Sequence, residues 1–298
     1  MAPSSPLATL KKIPTTILKK GIGPAFKAAW EYDRTHGGRM IKKTFQGFEW
    51  LWALAYIPPL AEKFPTLDPN LSDISHIPIN KDIQGGEGIA LPEEVLDRLI
   101  DLSSYRAILH SCMCRRIAQC KTYPEDIACI FMGEAAKLIP DDHKREASKQ
   151  EAKDHVRKAL AAGLVPIVGE ARGDYSLLRI PYEGNQGKLL TNCFCCECCC
   201  LSRAWRKSPV ATVDAVMHPV EGLTVEVTDD CVGCGLCVEK CFIDAIHVRA
   251  GRAVIDDYCR VCGRCAAACP NDAIKLRLDN PHVVDDVVNR ILARVDLS

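Results

Sequence analysis

Apolar residues recur at helical spacing in two stretches, one in each terminal part of the chain. The N-terminal stripe consists of Ile41, Phe45, Phe48, Trp52 and Tyr56. Residues three or four apart share one face of a helix, so this stripe predicts a helix that packs on a core. Because Lys42 and Lys43 lie beside it, the stripe could also rest on a membrane surface. Residues 283–295 show the same period and predict an amphipathic helix that covers the domain it follows.

The middle of the chain combines a clear helix signal with a strand-like segment. Ser148 and Glu151 form a capping box, and Gly163 follows the apolar pattern as a helix stop. The next residues, 164–180, predict a β-hairpin that turns at the sequence ARGD. The alternation of these elements with the C-terminal helix predicts a fold that contains both helices and strands.

The composition limits the classes of function. The chain has 298 residues, enough for two domains, and its 38 Lys+Arg balance 38 Asp+Glu. Zero net charge argues against a nucleic-acid-binding protein, which needs a strongly basic surface. Residues 1–50 are nevertheless basic, with nine Lys or Arg against three acids, and could dock on an acidic partner. No apolar run approaches the ~20 residues of a membrane span, and no secretory signal is evident, so we expect a reducing, cytoplasmic location.

Eight of the eighteen cysteines form a repeat with an offset of 28 residues, and each copy has the spacing C-x2-C-x2-C-x3-C. The copies are Cys231, Cys234, Cys237, Cys241 and Cys259, Cys262, Cys265, Cys269. Three cysteines at intervals of three can wrap one face of a cubane, while the fourth reaches the other cluster. By that rule one [4Fe–4S] cluster has the ligands Cys231, Cys234, Cys237 and Cys269. The second cluster has the ligands Cys259, Cys262, Cys265 and Cys241.

This double motif resembles the bacterial-type 2[4Fe–4S] ferredoxins over residues 223–278, with strand-like runs at 225–227 and 274–278. The resemblance implies two low-potential clusters in a small two-fold domain. Phe242 departs from the family, which usually has proline after the fourth cysteine. A pair of zinc sites is the competing interpretation, because zinc knuckles also use C-x2-C pairs, but they lack this doubled register.

The other ten cysteines lie in two upstream segments. They are Cys112, Cys114, Cys120 and Cys129 in the first, and Cys193, Cys195, Cys196, Cys198, Cys199 and Cys200 in the second. We expect the segments to meet in space and to hold one or two further iron–sulfur clusters. If the second segment is extended, Cys193, Cys195 and Cys199 face one way and Cys196, Cys198 and Cys200 the other. Two other arrangements also agree with the sequence: one cluster with unused thiols, or a larger non-cubane cluster.

The order C-x-C-R…C…C followed by C-x-C-C-x-C-C resembles a family of poorly characterised bacterial and archaeal iron–sulfur proteins. These proteins join such a cysteine-rich module to a C-terminal dicluster ferredoxin domain, and the resemblance covers roughly residues 75–280. It implies electron transfer in anaerobes and does not supply a reaction. Because Cys200 lies beyond the family's motif, we assign ligand roles to the other nine module cysteines only.

These patterns predict an α+β fold in four parts. Residues 1–94 form a basic, largely helical N-terminal region, and residues 95–222 form the cysteine-rich α/β iron–sulfur module. Residues 223–280 form the two-fold 2[4Fe–4S] ferredoxin-type domain. Residues 281–298 form the C-terminal amphipathic helix.

Three polar residues near the first cysteine segment could serve a cluster. Arg115 and Arg116 could tune a cluster potential or hold an anionic substrate, although solvated or salt-bridged arginines are more common. His110 could be a ligand, although a surface or hydrogen-bonded histidine is more common. The chain has no GxxxxGK[ST] loop and no full GxGxxG, which argues against a built-in nucleotide or flavin domain.

Three functions compete. The first is a multi-cluster electron-transfer protein that relays low-potential single electrons between a soluble donor and a partner oxidoreductase. The second is an iron–sulfur reductase, whose module cluster or spare thiols form the substrate site and are fed by the ferredoxin domain. The third, a structural zinc or nucleic-acid module, conflicts with the zero net charge and the ferredoxin register. We favour the first, and whether the protein is an enzyme stays open.

Overall fold

The computed structural model describes residues 72–79, 83–85 and 91–298. The predicted N-terminal helix with its stripe from Ile41 to Tyr56 lies outside these residues, as does the basic segment 1–50. The described chain combines helices and strands, as predicted. None of its described helices is long and apolar enough to cross a membrane.

The described residues contain strands and helices throughout. The strands are β1 (Ser72–His76), β2 (Ile83–Gln84), β3 (Arg106–Leu109), β4 (Ile130–Met132), β5 (Lys144–Glu146), β6 (Val165–Ala171), β7 (Leu190–Cys195), β8 (Met217–His218), β9 (Leu223–Val227), β10 (Ile246–Arg249), β11 (Arg252–Ile255) and β12 (Ile274–Leu278). The α-helices are α1 (Leu91–Leu102), α2 (Met113–Ala118), α3 (Lys149–Ala161), α4 (Arg172–Leu177), α5 (Val210–Val216), α6 (Leu236–Lys240), α7 (Arg264–Ala267) and α8 (Val283–Leu292). Two 3-10 helices cover Glu134–Leu138 and Leu201–Lys207.

One seven-stranded sheet organises the first part of the described chain. Its strand order is β5-β3-β4-β7-β6-β1-β8, and its neighbours are antiparallel except for the parallel pair β1 and β8. Strand β7 lies between β4 and β6, with Asn192 opposite Ile130 and Cys193 opposite Ile167. Since Cys129 directly precedes β4, this register places the two cysteine-rich segments side by side.

The two faces of the sheet have separate hydrophobic layers because strand side chains alternate. On β4, Ile130 and Met132 pack in a core with helices α1 and α3, whereas Phe131 faces another core with Tyr175 of α4. On β7, Phe194 belongs to the core with α1 and α3, while Cys193 and Cys195 belong to neither of those layers but pack beside Trp205. The thiols of β7 therefore lie on the sheet face opposite α1 and α3.

Two sequence-predicted helices are confirmed. Helix α3 begins after Ser148, whose side chain accepts a hydrogen bond from the Glu151 backbone while Glu151 bonds back, which is the predicted capping box. Gly163 follows the helix end with φ of +75°. Helix α8 packs against α1, and its Arg290 forms an ion pair with Asp73 of β1.

The predicted β-hairpin over residues 164–180 is wrong. Strand β6 is present, but the ARGD sequence begins helix α4 instead of a tight turn. The partners of β6 are β1, which lies far upstream in the sequence, and β7, which follows after α4 and a loop. Both neighbours of β6 lie outside residues 164–180, so the strand has no partner within the predicted hairpin.

The C-terminal part repeats one small unit. Strand β9 pairs antiparallel with β12, and β10 pairs with β11 in a hairpin. Helices α6 and α7 each start after a glycine in the left-handed region, Gly235 and Gly263, with φ of 82° and 80°. These glycines are 28 residues apart, so the repeat in sequence is also a repeat in structure.

Short strands of the predicted N-terminal region join both parts. Strand β1 pairs with β6 inside the large sheet, and β2 pairs parallel with β12 at the edge of the C-terminal sheet. The segment before α1 therefore connects the cysteine-rich sheet to the repeat domain.

Candidate metal centres

Four thiols from both copies of the repeat surround one small cavity of about 20 Å³. They are Cys231, Cys234, Cys237 and Cys269. The loop between Cys231 and Cys234 lines the cavity, and its Gly233 has a φ of +66°. A Cβ there would lie 2.3 Å from the carbonyl oxygen of Gly251, so residue 233 must lack a side chain.

The other four thiols of the repeat form a second, more buried group. They are Cys241, Cys259, Cys262 and Cys265. Burial raises the pKa of Cys259 to about 12, and the nearby thiols of Cys262 and Cys241 add to that shift. Burial also raises the pKa of Cys265, with the other three thiols as its charged neighbours. The structure thus places the fourth cysteine of each copy with the three cysteines of the other copy.

Backbone N–H groups point at thiols of both groups. The amide of Ala245 donates to Cys241 Sγ over 3.2 Å, and that of Ala273 donates to Cys269 Sγ over 3.3 Å. These two contacts are related by the 28-residue offset. Hydrogen bonds to sulfur are among the features that set the reduction potential of an iron–sulfur cluster.

A four-thiol group lies in the upstream module. It consists of Cys120, Cys196, Cys198 and Cys199, whose sulfur atoms all lie within 4.8 Å of one another. Four thiolates about 2.3 Å from one tetrahedral ion lie about 3.8 Å apart, so this spacing suits a metal centre. Thiolates are soft ligands that favour zinc, copper(I) or iron–sulfur clusters.

Glu197 connects the four-thiol group to the repeat domain. The hydroxyl of Tyr123 donates to Glu197 Oε2 over 2.9 Å. The Nζ atom of Lys240, at the end of α6, lies 2.8 Å from Glu197 Oε1. Since Lys240 directly precedes Cys241, the loop that carries the four-thiol group contacts a cysteine-bearing helix of the repeat.

A six-thiol group contains the remaining module cysteines. They are Cys112, Cys114, Cys129, Cys193, Cys195 and Cys200. The Sγ atoms of Cys129 and Cys193 are 2.9 Å apart, and those of Cys195 and Cys200 are 2.8 Å apart. The two cysteine-rich segments therefore meet in space, as the sequence predicts.

The six thiols form one connected chain of contacts. Hydrogen bonds from Cys114 and then Cys129 hold the pKa of the Cys112 thiol at about 2. Hydrogen bonds from Cys114 and then Cys195 hold the pKa of the Cys200 thiol well below its usual value. The order of contacts therefore runs from Cys193 through Cys129, Cys112, Cys114 and Cys200 to Cys195.

These six thiols line a cavity of about 160 Å³. The rest of its wall is largely apolar and includes Ile74, Phe131 and Trp205. Among the described residues, Asp174 is the only acid in the wall, and its carboxylate accepts a hydrogen bond from Thr191 Oγ1 over 2.6 Å. Burial raises the pKa of Asp174 to about 6. The cavity is therefore thiol-rich, apolar and supplied with one buried acid.

Arg115 lies between the two thiol groups and is 1% exposed. Its Nε donates to the Pro124 carbonyl over 2.9 Å and its Nη1 to the Phe194 carbonyl over 2.8 Å. Its Nη2 donates to the Ile127 carbonyl. The side chain thus fastens α2 to the loop before β4 and to β7, instead of being solvated.

The module and the repeat domain share a packed boundary. Arg264 of α7 lies between Cys262 and Cys265 in sequence, is buried, and donates from Nη2 to the carbonyl of Cys195. The buried ring of Phe242 stacks on His76 of β1 with centroids 4.3 Å apart. Phe242, where the ferredoxin family has proline, therefore contributes to this boundary.

The predicted alternation of thiols along 193–200 is wrong at two positions. The extended strand ends at Cys195, and residues 197–199 form a turn. Cys199 therefore joins Cys196 and Cys198, while Cys200 joins Cys193 and Cys195. The sequence interpretation also omitted Cys200 as a ligand, although its sulfur contacts those of Cys195 and Cys114.

His110 and Arg116, the other two polar residues near the first cysteine segment, lie at the surface. His110 is exposed, which agrees with the surface interpretation. Arg116 is exposed and donates to Ser111 Oγ over 3.2 Å, as expected of a solvated arginine. The burial of Arg115 could not be predicted from the cysteine motif, because Arg115 and Arg116 are adjacent after Cys114 and the motif does not distinguish them.

Comparison with known families identifies the repeat. The family described as the 4Fe-4S binding domain matches residues 225–247 and 253–275. The chain therefore carries a 4Fe-4S ferredoxin domain at its C-terminus, as predicted, within a mixed α/β protein. Comparisons with curated proteins and with solved structures find no match to the chain.

Proposed function

We propose that this protein is a multi-cluster iron–sulfur electron-transfer protein. It relays low-potential single electrons between a soluble donor and a partner oxidoreductase. The ferredoxin domain supports iron–sulfur redox chemistry, and the additional thiol groups of the module support further centres. Bound clusters supply the one-electron chemistry, with potentials that depend on hydrogen bonds, charge and exposure.

The observation that carries this proposal is the packing of the two thiol-rich parts. Cys193, Cys195 and Cys200 of the module lie in one hydrophobic cluster with three thiols of the repeat. Those three are Cys241, Cys259 and Cys262. Arg264 adds a direct hydrogen bond across the boundary. An electron on the second ferredoxin cluster would therefore have a short, packed route to a centre in the module.

The ligand sets follow from the grouping of the thiols. The first ferredoxin cluster would be held by Cys231, Cys234, Cys237 and Cys269. The second would be held by Cys241, Cys259, Cys262 and Cys265. The four-thiol group of Cys120, Cys196, Cys198 and Cys199 would hold a further centre.

The surface around the first ferredoxin site suits the docking of a donor protein. Val232 is 68% exposed and Leu236 is 45% exposed, and both line the cavity of that site together with Val248. Exposed apolar side chains that cluster on a surface are typical of protein contacts. The second site is more buried and lies against the module. We therefore infer that electrons enter at the first cluster and pass inward through the second.

Anaerobic reductive titration tests the proposal. The full-length protein is titrated with dithionite and the signals are followed by EPR. We expect one-electron reductions of the ferredoxin clusters and of at least one module centre. If no cluster accepts an electron from this donor, the proposed function is wrong.

A variant tests the order of transfer. Cys237→Ala removes a ligand of the first cluster and should slow reduction of the module centre by a reduced donor ferredoxin at least tenfold. The matched variant Cys120→Ala should leave reduction of the ferredoxin clusters at the wild-type rate. Equal rates in wild type and Cys237→Ala would exclude the first cluster as the point of electron entry.

A further inference from the structure

The six-thiol group has more ligands than one cubane can use. A [4Fe–4S] cubane has four irons and takes one terminal thiolate on each, so it accommodates four cysteines. Two complete cubanes would need eight. The six thiols are in continuous contact, and none of them belongs to the four-thiol group. Six thiols are therefore too many for one cubane and too few for two.

The cavity indicates a large bound group. Sites for bound groups are concave and mostly apolar, with a small number of polar groups. A cavity of about 160 Å³ has room for roughly ten waters, yet its wall is almost entirely apolar or thiol. Water molecules need polar partners, and this wall offers only a few, among them Arg115, Asp174 and Thr191. A thiol-bound inorganic cluster fits both the size and the chemistry of the wall.

The contacts divide the six thiols into two equal sets. Cys112 and Cys193 both neighbour Cys129, which makes one set of three. Cys114 and Cys195 both neighbour Cys200, which makes the second. The two sets touch where Cys114 meets Cys112. Each set draws thiols from both cysteine-rich segments.

We propose that these six thiols bind one iron–sulfur cluster of about eight irons, in which two cubane halves share a bridging sulfide. One iron of each half takes the bridge. The remaining six irons need six terminal thiolates, three per half, which matches the two sets of thiols. This proposal deepens the proposed electron-transfer function and rests on it for the role of the cluster, because such a cluster could store more than one electron at the end of the relay.

Two buried arginines support a strongly negative cluster at this position. Arg115 lies near Cys112 and Cys129, and Arg264 bonds the backbone of Cys195. Among the described residues, Arg264 Nε and Nη1 have no hydrogen-bond partner although they are buried. Buried N–H donors are rarely left unpaired. Cluster sulfides beside Cys195 would be suitable acceptors.

Iron content in matched variants tests the proposal. The full-length protein, produced with ⁵⁷Fe and purified anaerobically, is analysed for iron, acid-labile sulfide and Mössbauer signals. The two ferredoxin cubanes and the proposed cluster together give about sixteen irons per chain, in addition to the metal of the four-thiol group. Cys129→Ala and Cys195→Ala, one from each set, should each remove the same Mössbauer component and about eight irons. The control Cys120→Ala should remove only the metal of the four-thiol group and leave that component unchanged.

A second measurement does not depend on variants that fold. Native wild-type protein is treated anaerobically with iodoacetamide and analysed by mass spectrometry. We expect no alkylation at any of the six cysteines, because all of them bind iron. About twelve irons besides the metal of the four-thiol group, together with two alkylated thiols, would overturn the proposal in favour of one cubane beside a free thiol pair, the arrangement of a reductase.

The two proposals fail in different ways. If the wild type contains only about eight irons, the eight-iron cluster is excluded, while a ferredoxin domain that still reduces in the titration keeps the electron-transfer function. If about sixteen irons are present besides the metal of the four-thiol group but none accepts an electron, the electron-transfer function fails and the cluster assignment stands. The iron count and the titration therefore report separately on the two.

Discussion

At the scale of single residues, the buried guanidinium of Arg115 should stabilise the module. Its planar guanidinium donates to three backbone carbonyls in fixed directions, which a lysine cannot reproduce. Arg115→Lys should leave at least one buried carbonyl unpaired. Each unpaired carbonyl should lower the free energy of unfolding by about 1–3 kcal/mol. We expect the anaerobic melting temperature to fall by about 2–12 °C, measured by differential scanning fluorimetry.

Arg116→Lys is the matched control for that prediction. Arg116 is exposed, and its hydrogen bond to Ser111 lies at the surface. Surface substitutions of this kind usually change stability by less than about 0.5 kcal/mol. If the two variants melt at the same temperature, the three carbonyl contacts of Arg115 do not stabilise the module.

His76 should make the stability of the protein depend on pH. Burial lowers its pKa well below the usual 6.5, and the charges of Arg264 and then Arg260 lower it further. Protonation therefore costs more in the folded than in the unfolded state. Stability should be lost as the pH falls below about 6.5, by at most about 1.4 kcal/mol per pH unit for one group, and should not change above that pH on account of His76.

Replacing the imidazole tests this assignment. His76→Phe keeps an aromatic ring against Phe242 and removes the titrating group. Melting temperatures from pH 8 to pH 5 should fall less steeply in this variant than in the wild type. The exposed control His110→Gln should keep the wild-type slope. A wild-type slope in His76→Phe would assign the acid sensitivity to other groups.

At the scale of elements, local signals were predicted well and long-range pairing was not. Helix α3 depends on Ser148 and Glu151, which lie three residues apart, and the grouping of the repeat's thiols depends on the spacing within each copy. The partners of β6, in contrast, lie in β1 and β7, and nothing within 164–180 identifies them. The end of β7 determines which thiols after Cys195 join the four-thiol group and which join the six-thiol group. The neighbouring strands in the sheet determine where β7 ends.

The loop before α6 offers a test with two neighbouring glycines. Gly233 and Gly235 both have positive φ, but only at Gly233 would a Cβ clash, with the Gly251 carbonyl oxygen at 2.3 Å. Gly235→Ala should lower the free energy of unfolding by about 1–2 kcal/mol, because alanine is strained in the left-handed conformation. Gly233→Ala should in addition displace the loop that carries Cys231 and Cys234. We expect this variant to lose about four irons, measured by iron analysis and EPR.

The comparison between the two glycines separates the clash from backbone strain. Gly235→Ala should retain the first ferredoxin cluster, with no more than a small decrease in melting temperature. Equal loss of iron in both variants would show that the left-handed conformation alone, rather than the approach to Gly251, makes glycine necessary.

At the scale of the whole molecule, Phe242 links the ferredoxin domain to the large sheet. Its ring is 1% exposed and stacks on His76, and the Arg264 guanidinium lies 5.8 Å from the ring centroid. Truncation of a buried phenylalanine to alanine typically costs about 3–5 kcal/mol. Because the ring crosses the boundary, Phe242→Ala should weaken the attachment of the domain while its eight cysteines keep their clusters.

Anaerobic calorimetry and rapid freeze-quench EPR would detect this loosening. We expect Phe242→Ala to melt in two transitions in place of one and to retain the iron of both ferredoxin clusters. Electron transfer from the ferredoxin clusters to the module should slow at least tenfold, because the packed route depends on this boundary. Phe242→Leu, which keeps most of the apolar contact, should lie between wild type and Phe242→Ala. A single transition with wild-type transfer in Phe242→Ala would mean that Arg264 and the Glu197–Lys240 ion pair hold the two parts together without the ring.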